Sequence, residues 1–377
     1  MIPFNKPYVS GQELAYIRQA VEHGRLAGNG RFAKKCERFI EQRYGVVRAM
    51  LTHSATAALE MMAILLELRP GDEVIVPSFT FITTANAFAL HGAEIVFADS
   101  LPGHPNMDAE KVEELITPRT RAVVAMHYGG DICDMPALER LCRERGVVLL
   151  EDAAMAIESS LDGRKAGTFG EMAVFSFHET KNIISGEGGA LLINGGHWIE
   201  RAEIIREKGS NRAAFFRGEC DKYTWVDKGS SFLPSELQAA YLFAQLEALD
   251  EIQAMRKAIW IRYHEGFSKL EKKGHVQRPA GLPGRERNYH SYYLICRSLQ
   301  ERSRLIRFLH DKGIQAVFHY QSLDQSPYAA KFRDGKRKPL PHAAHYSDRL
   351  LRLPFFNELG RDEQDHVIAS VHAFYAK

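Results

Sequence analysis

The chain has 377 residues, 45% of them hydrophobic and 25% charged, enough to bury a substantial core in one large and one smaller domain. Lysine plus arginine number 49 against 47 for aspartate plus glutamate, and a net charge of +2 sets up no global field toward nucleic acid or an anionic membrane. Cys36, Cys133, Cys142, Cys220 and Cys296 form no C-x-x-C pair and no stretch approaches a membrane span, so disulfides, a zinc site and insertion into a bilayer are not expected, and a cytoplasmic location is.

In chain order, 12–22 and 33–43 carry apolar residues at helical spacing, with Gly28-Asn29-Gly30 as a tight loop between them. Short apolar runs at 47–51, 73–77, 93–98, 122–126 and 147–150 then alternate with helical segments such as 57–68 and 135–144. That pattern predicts crossover units around a mostly parallel sheet covered on both faces, an α/β architecture. Further strands are expected at 172–177 and 189–193. From Pro234 to about Leu270 the spacing is that of a long helix, expected to join a large domain, 1–245, to a small one, 246–377. In the small unit 292–296 and 316–319 read as strands, and 299–311, 346–351 and 361–375 as helices. The basic stretch 331–338 reads as a solvated loop.

The chemistry concentrates after the strands. The run 146–150 ends in Glu151-Asp152-Ala153-Ala154, which brings a carboxylate to the end of a buried strand. Lys181 follows the strand-like run 172–177 and precedes Gly186-Glu187-Gly188-Gly189, a placement that predicts partial desolvation and a lowered amine pKa. A lysine amine forms a Schiff base with an aldehyde, and an aspartate holds the proton on a pyridine nitrogen; together they point to pyridoxal phosphate. Ser54-Ala55-Thr56-Ala57 opens a helix, where free amides and hydroxyls suit a phosphate, although Ser54 alone also reads as a plain N-cap. Ser176, one strand away, offers another hydroxyl. Phe81 is placed either to cover a planar ring or to fill the core, and His178 either near the ligand or as a satisfied structural histidine. No His/Cys/Glu cluster suggests a metal.

These residues in this order resemble the DegT-type sugar-nucleotide aminotransferases, over nearly the whole chain. The resemblance also rests on Gly28-Asn29-Gly30, 77–86, 186–189 and Ala316-Val317-Phe318-His319-Tyr320. It implies the fold of type I pyridoxal-phosphate aminotransferases, with a large mostly parallel sheet domain and a smaller α+β C-terminal domain. It also implies Lys181 as the Schiff-base lysine, Asp152 as the pyridinium partner and Phe81 as the ring-stacking residue. Thr56, Ala57 and Ser176 would hold the phosphate, and His178, His319 and Tyr320 would face the substrate. A second subunit of a homodimer would contribute Ser231 where many relatives have an asparagine. Residues 206–212, 215–218, 221–225 and 229–231 look like the subgroup that makes dTDP-4-amino-4,6-dideoxygalactose. L-glutamate and dTDP-4-keto-6-deoxy-D-glucose are therefore the expected substrates, with amination at C4.

Two departures stand out. Met155 replaces the usual glutamine of the aspartate motif and donates no hydrogen bond to the cofactor's phenolic oxygen, while Gln321-Ser322-Leu323-Asp324 replaces a Pro-Leu-His stretch beside the substrate. The alternatives are an equatorial, gluco-configured amine, a sugar dehydratase on the same scaffold, and a cofactor-binding protein without turnover. Retention of Lys181 argues against the dehydratase, whose known examples resembling this chain carry histidine there.

Overall fold

The computed structural model describes residues 1–332 and 339–376. Seven strands make the main sheet: β1 (Arg48–Thr52), β2 (Glu73–Pro77), β3 (Glu94–Ala98), β4 (Thr120–Met126), β5 (Val148–Asp152), β6 (Met172–Ser176) and β7 (Gly189–Ile193). Their spatial order is β1-β7-β6-β5-β4-β2-β3, with β7 antiparallel to both neighbours and the other pairs parallel. Parallel strands need crossovers, and the intervening helices cover both faces. The apolar runs are continuous rather than alternating for that reason: Val74, Ile75 and Val76 of β2, for example, are all fully buried. One core lies on each face of this sheet.

A second, four-stranded sheet is built from β8 (Val276–Gln277), β9 (Tyr293–Cys296), β10 (Val317–Phe318) and β11 (Leu350–Arg352), ordered β8-β9-β11-β10. It has its own core, in which Tyr263, Tyr292, Leu305 and Val371 are buried. The strands expected from sequence lie within about two residues of those observed. Two helical expectations change. The helix expected at 346–351 runs instead over Pro341–Arg349, and the chain then becomes β11, because Leu350 and Leu351 are buried, Leu350 pairing with β9 and Leu351 with both β9 and β10. The long helix from Pro234 is divided into Glu236–Glu247, Leu249–Gly266 and Ser268–Lys272. Of the basic stretch 331–338, Lys331 sits in the turn Tyr328–Phe332, and 333–338 fall outside the described residues.

Gly28 and Gly30 owe their identity to a close approach. A Cβ on Gly30 would sit 2.5 Å from the Glu236 carboxyl carbon, and that carboxylate accepts hydrogen bonds from the N–H groups of Gly30, Phe32 and Ala33. It thereby caps the helix Arg31–Tyr44 with a negative charge at its positive end. Among the described residues no helix is long and apolar enough to cross a membrane, and no group of potential ligands is arranged to hold a metal.

Candidate active site

The parallel strands deliver their C-terminal ends to one edge of the main sheet, and the loop after β10 arrives there from the second sheet. Between them is a cavity of about 1030 Å³. This volume is at the upper end for a single small ligand and accommodates a cofactor together with part of a second molecule.

Asp152 ends β5 with its side chain in the cavity and its residue only 5% exposed. Its Oδ2 accepts a 2.6 Å hydrogen bond from Thr84 Oγ1, and Thr84 is in turn 2.8 Å from Thr80 Oγ1. Its Oδ1 accepts from the Ala154 N–H. Adjacent Glu151 points to the opposite side of the strand. There it accepts from the N–H groups of Gly167, Phe169 and Gly170 and pairs with the buried His127, so it is a structural anchor. The alternation of a strand thus sends one of two neighbouring carboxylates to the ligand and the other to the core.

Lys181 lies after β6, where its backbone N–H donates to the His178 carbonyl. Among the described residues no side-chain hydrogen bond or ion pair holds its Nζ. Burial lowers its pKa to about 8; Asp152 opposes the shift and Arg352 adds to it. At pH 7 about a tenth of such an amine is unprotonated, far more than of a surface lysine.

The helix Ala55–Leu65 starts at the cavity wall. Its N-cap Ser54 accepts from the Ala57 N–H, so the capping interpretation of Ser54 holds and Ala57, expected among the phosphate contacts, has its donor already engaged and is buried away from the cavity. Ala55 and Thr56 line the cavity, and the N–H groups of this first turn have no intrahelical acceptor. Gly189 permits the tight entry, since a Cβ there would lie 2.4 Å from the Ala55 nitrogen. Ser176 ends β6 on the same side, buried and lining the cavity.

Phe81 is 52% exposed and lines the cavity, 6.0 Å from the Tyr320 ring, which excludes its reading as core. Tyr320, held at φ 40°, also packs on Phe79. His319 Nδ1 is 2.7 Å from the Tyr128 hydroxyl. His178 is at the rim, bonded to Thr180 Oγ1 and 3.7 Å from Glu187. Met155 is buried and lines the cavity; its carbonyl accepts from Asn288 Nδ2. The departing loop 321–324 is pinned to the end of β2: Ser78 Oγ bonds Ser322 Oγ and Asp324 Oδ1, and the Leu323 N–H donates to the Ser78 carbonyl. Ser231 is exposed beside Glu207 and does not line the cavity formed by one copy.

Sequence reasoning did not find Thr84, His290 or Arg352. His290 lines the cavity with its Nδ1 2.9 Å from Asn182 Oδ1. The Asn182 amide nitrogen donates to Gln253 and to the Asn288 carbonyl, so its oxygen faces His290 and the proton is on Nδ1. Burial, then the charges of Lys181, Arg256 and Arg352, hold His290 well below the ordinary imidazole pKa; burial, Arg352, His290 and Lys181 do the same for His319. Both rings are neutral at physiological pH. Arg352, in β11, lines the same cavity with its guanidinium carbon 4.6 Å from the centre of the Phe4 ring.

The geometry fits pyridoxal phosphate. An anion-binding helix start, a buried carboxylate with an orienting donor, an exposed aromatic and an amine of lowered pKa surround one cavity.

Comparison with known proteins agrees. Residues 7–372 match the model of the DegT/DnrJ/EryC1/StrS aminotransferase family. The chain is 32% identical to the spore coat polysaccharide biosynthesis protein SpsC of Bacillus subtilis, over 98% of this chain and 96% of that protein. It is also 32% identical to the GDP-perosamine synthase of Caulobacter vibrioides, over 97% and 96%. Among solved structures it resembles the PLP-form of the putative sugar aminotransferase Spr1654 from Streptococcus pneumoniae, with a TM-score of 0.90 at 25% identity, covering 100% of this chain and 98% of that one.

Proposed function

We propose, from the premise that this chain belongs to the DegT/DnrJ/EryC1/StrS aminotransferase family, that it transfers the amino group of L-glutamate to C4 of dTDP-4-keto-6-deoxy-D-glucose. The products are dTDP-4-amino-4,6-dideoxy-D-galactose and 2-oxoglutarate. The chain is a pyridoxal-phosphate-dependent sugar aminotransferase of fold type I.

When bound, pyridoxal phosphate supplies an aldehyde that carries the amino group and a ring that withdraws electrons from the reacting carbon. The N–H groups of Ala55 and Thr56 and the hydroxyls of Thr56 and Ser176 would hold its phosphate. Asp152, oriented by Thr84, pairs with the ring nitrogen and favours its protonated form. Phe81 covers one ring face, and Met155 packs at the edge where relatives place a glutamine. Lys181 would supply the amine that holds the cofactor's aldehyde end, and its Nζ would take and return a proton. His319 and Tyr320 line the acceptor side, with His178 at the rim. Ser231 reaches the phosphate from a second copy; exposed Phe216, Tyr223 and Trp225 nearby support a dimer contact there. The domains are 1–245 and 246–377.

The observation that carries the mechanism is Lys181, with its lowered pKa, sharing a cavity with the buried Asp152. The acceptor rests on the subgroup resemblance of 206–231, and a relative named for a GDP-linked product makes the nucleotide the point to test. Purified protein incubated with L-glutamate and either dTDP-4-keto-6-deoxy-glucose or its GDP counterpart is to give an axial C4 amine from the dTDP sugar by NMR. An equatorial amine, a deoxygenated sugar or preference for GDP refutes the assignment. Loss of both half-reactions in Lys181→Ala is expected, and retention removes the mechanism.

A further inference from the structure

The cavity has two unlike walls. On one, Ser176 ends β6 opposite Gly189 of β7, and the helix Ala55–Leu65 starts against Gly189, so hydroxyls and free amides gather there. On the other, past β5, Met126 ends β4 and Met155 turns in beside it: a Cβ on Gly130, in the turn after β4, would lie 3.3 Å from the Met155 carbonyl oxygen. Both methionines are buried, and a thioether has no proton to donate. His290 is joined to Met155 through Asn288, whose Oδ1 accepts from the His290 N–H and whose Nδ2 donates to the Met155 carbonyl. Asn182 fixes the proton of His290 on Nδ1, so the ring nitrogen left for the cavity, Nε2, carries a lone pair. Asn182 itself spends its amide hydrogens on Gln253 and the Asn288 carbonyl. Among the described residues, the side chains lining this wall offer no hydrogen-bond donor.

The constitution of the cofactor decides which of its groups meets that wall. Around the pyridine ring the aldehyde carbon stands opposite the nitrogen, with the phosphate arm to one side of it and a hydroxyl to the other. With the nitrogen at Asp152, the aldehyde end at Lys181 and the phosphate at the helix start, the ring oxygen would fall to the remaining side, that of Met126 and Met155. This oxygen shares one proton with the nitrogen that links the cofactor to Lys181. A donor from the protein would stabilise the oxygen as an anion and let the proton leave to water at lower pH; burial without a donor, facing a lone pair, does the opposite. The other groups around the cavity act on the same proton. Asp152 helps to retain it and Arg352 to expel it, while His290, His319 and the Tyr320 phenol are neutral and His178 and Glu187 stand at the rim. All of them are shared by wild type and a protein changed at Met155 alone.

We propose that Met155 tunes the cofactor by withholding a hydrogen bond from its ring oxygen, so that the proton shared with the Lys181 nitrogen is held to higher pH and the linked carbon stays electrophilic toward an incoming amine. This rests on the transaminase reading of the site. The visible absorbance of cofactor-loaded wild type, Met155→Gln and Met155→Leu is to be titrated against pH without substrates. Glutamine and leucine are both close to methionine in size, and only glutamine brings a donor. Met155→Gln is expected to lower the midpoint of the absorbance change by about one to two pH units, the equivalent of one hydrogen bond to a charged oxygen. Met155→Leu should titrate as wild type does.

A Met155→Gln midpoint equal to that of wild type, or above it, overturns the proposal and leaves the transaminase reading standing. An equal fall in Met155→Leu overturns it as well, by making the effect one of packing. Wild type that gains no visible band with pyridoxal phosphate removes the transaminase reading and this inference with it. The expected fall in Met155→Gln, in a protein whose wild type aminates none of the sugars tried, sustains the inference and refutes the acceptor assignment alone.

Discussion

Replacing Lys181 by methionine in cofactor-free protein isolates the electrostatic cost of keeping an amine in this cavity. Depression of the ammonium from 10.5 to about 8 corresponds to about 3 kcal/mol. Water reaching the partly exposed side chain screens some of that, so about 1–3 kcal/mol is the expected size. Below pH 8 the lysine is protonated in both native and unfolded chains, and the native state bears the full cost. Between pH 8 and 10.5 the native chain has released the proton while the unfolded chain still binds it, so wild-type stability rises with pH relative to the variant. Urea denaturation of both proteins, stripped of cofactor, should therefore show Lys181→Met more stable at pH 6.5, with a gap that narrows by about 1–2 kcal/mol by pH 9.5. Packing differences between the side chains add a pH-independent offset, and groups common to both proteins cancel to first order. A gap constant from pH 6.5 to 9.5 would refute the lowered amine pKa, and with it the supply of neutral nucleophile.

Thr84→Val removes the donor that orients Asp152, a charge-assisted bond of 2.6 Å, and is expected to cost about 1.5–3 kcal/mol of transition-state stabilisation, seen in kcat with little change in fold. Gly189→Ala introduces a Cβ 2.4–2.6 Å from the Ser54–Ala55 backbone; dialysis against graded pyridoxal phosphate should show weakened cofactor retention while far-ultraviolet circular dichroism is preserved.

The main sheet was legible because its strands are covered on both faces, so each reads as an unbroken apolar run between turn signals. Asp152 and Lys181 stood out for a related reason, as ionisable groups directly following buried strands. The second sheet was less legible. Three residues, Leu350 to Arg352, are too few to show a period, and their strand identity comes from Tyr293 and Phe318, far away in sequence. Arg352 nevertheless left a signal, a cation set between leucines in Leu350-Leu351-Arg352-Leu353. Thr84 and His290 left none: their partners, Asp152 and Asn182, are 68 and 108 residues distant, and a threonine in a helix or a histidine in a loop is unremarkable until the chain closes. At Ala57 the two expectations for this segment compete for one group, since the N-cap hydroxyl of Ser54 accepts from the amide that a phosphate would also use.

The charges lining the cavity are out of balance by design of the fold rather than by composition, for the chain as a whole is nearly neutral. Lys181 and Arg352 face one deeply buried carboxylate, Asp152, while Glu187 stands exposed at the rim. Burial first, and the cations second, keep the neighbouring histidines His290 and His319 neutral, so they add no further positive charge. An excess of fixed cations in a low-dielectric cavity strengthens every anionic group a ligand brings. Phosphate, carboxylate and pyrophosphate each relieve part of the excess, and a group that binds the native state alone adds RT ln(1 + [L]/Kd) to its stability. The same arrangement therefore links ligand occupancy to folding, because an anionic group bound in the cavity offsets the charge of Arg352, which otherwise adds to the lowering of the Lys181 pKa.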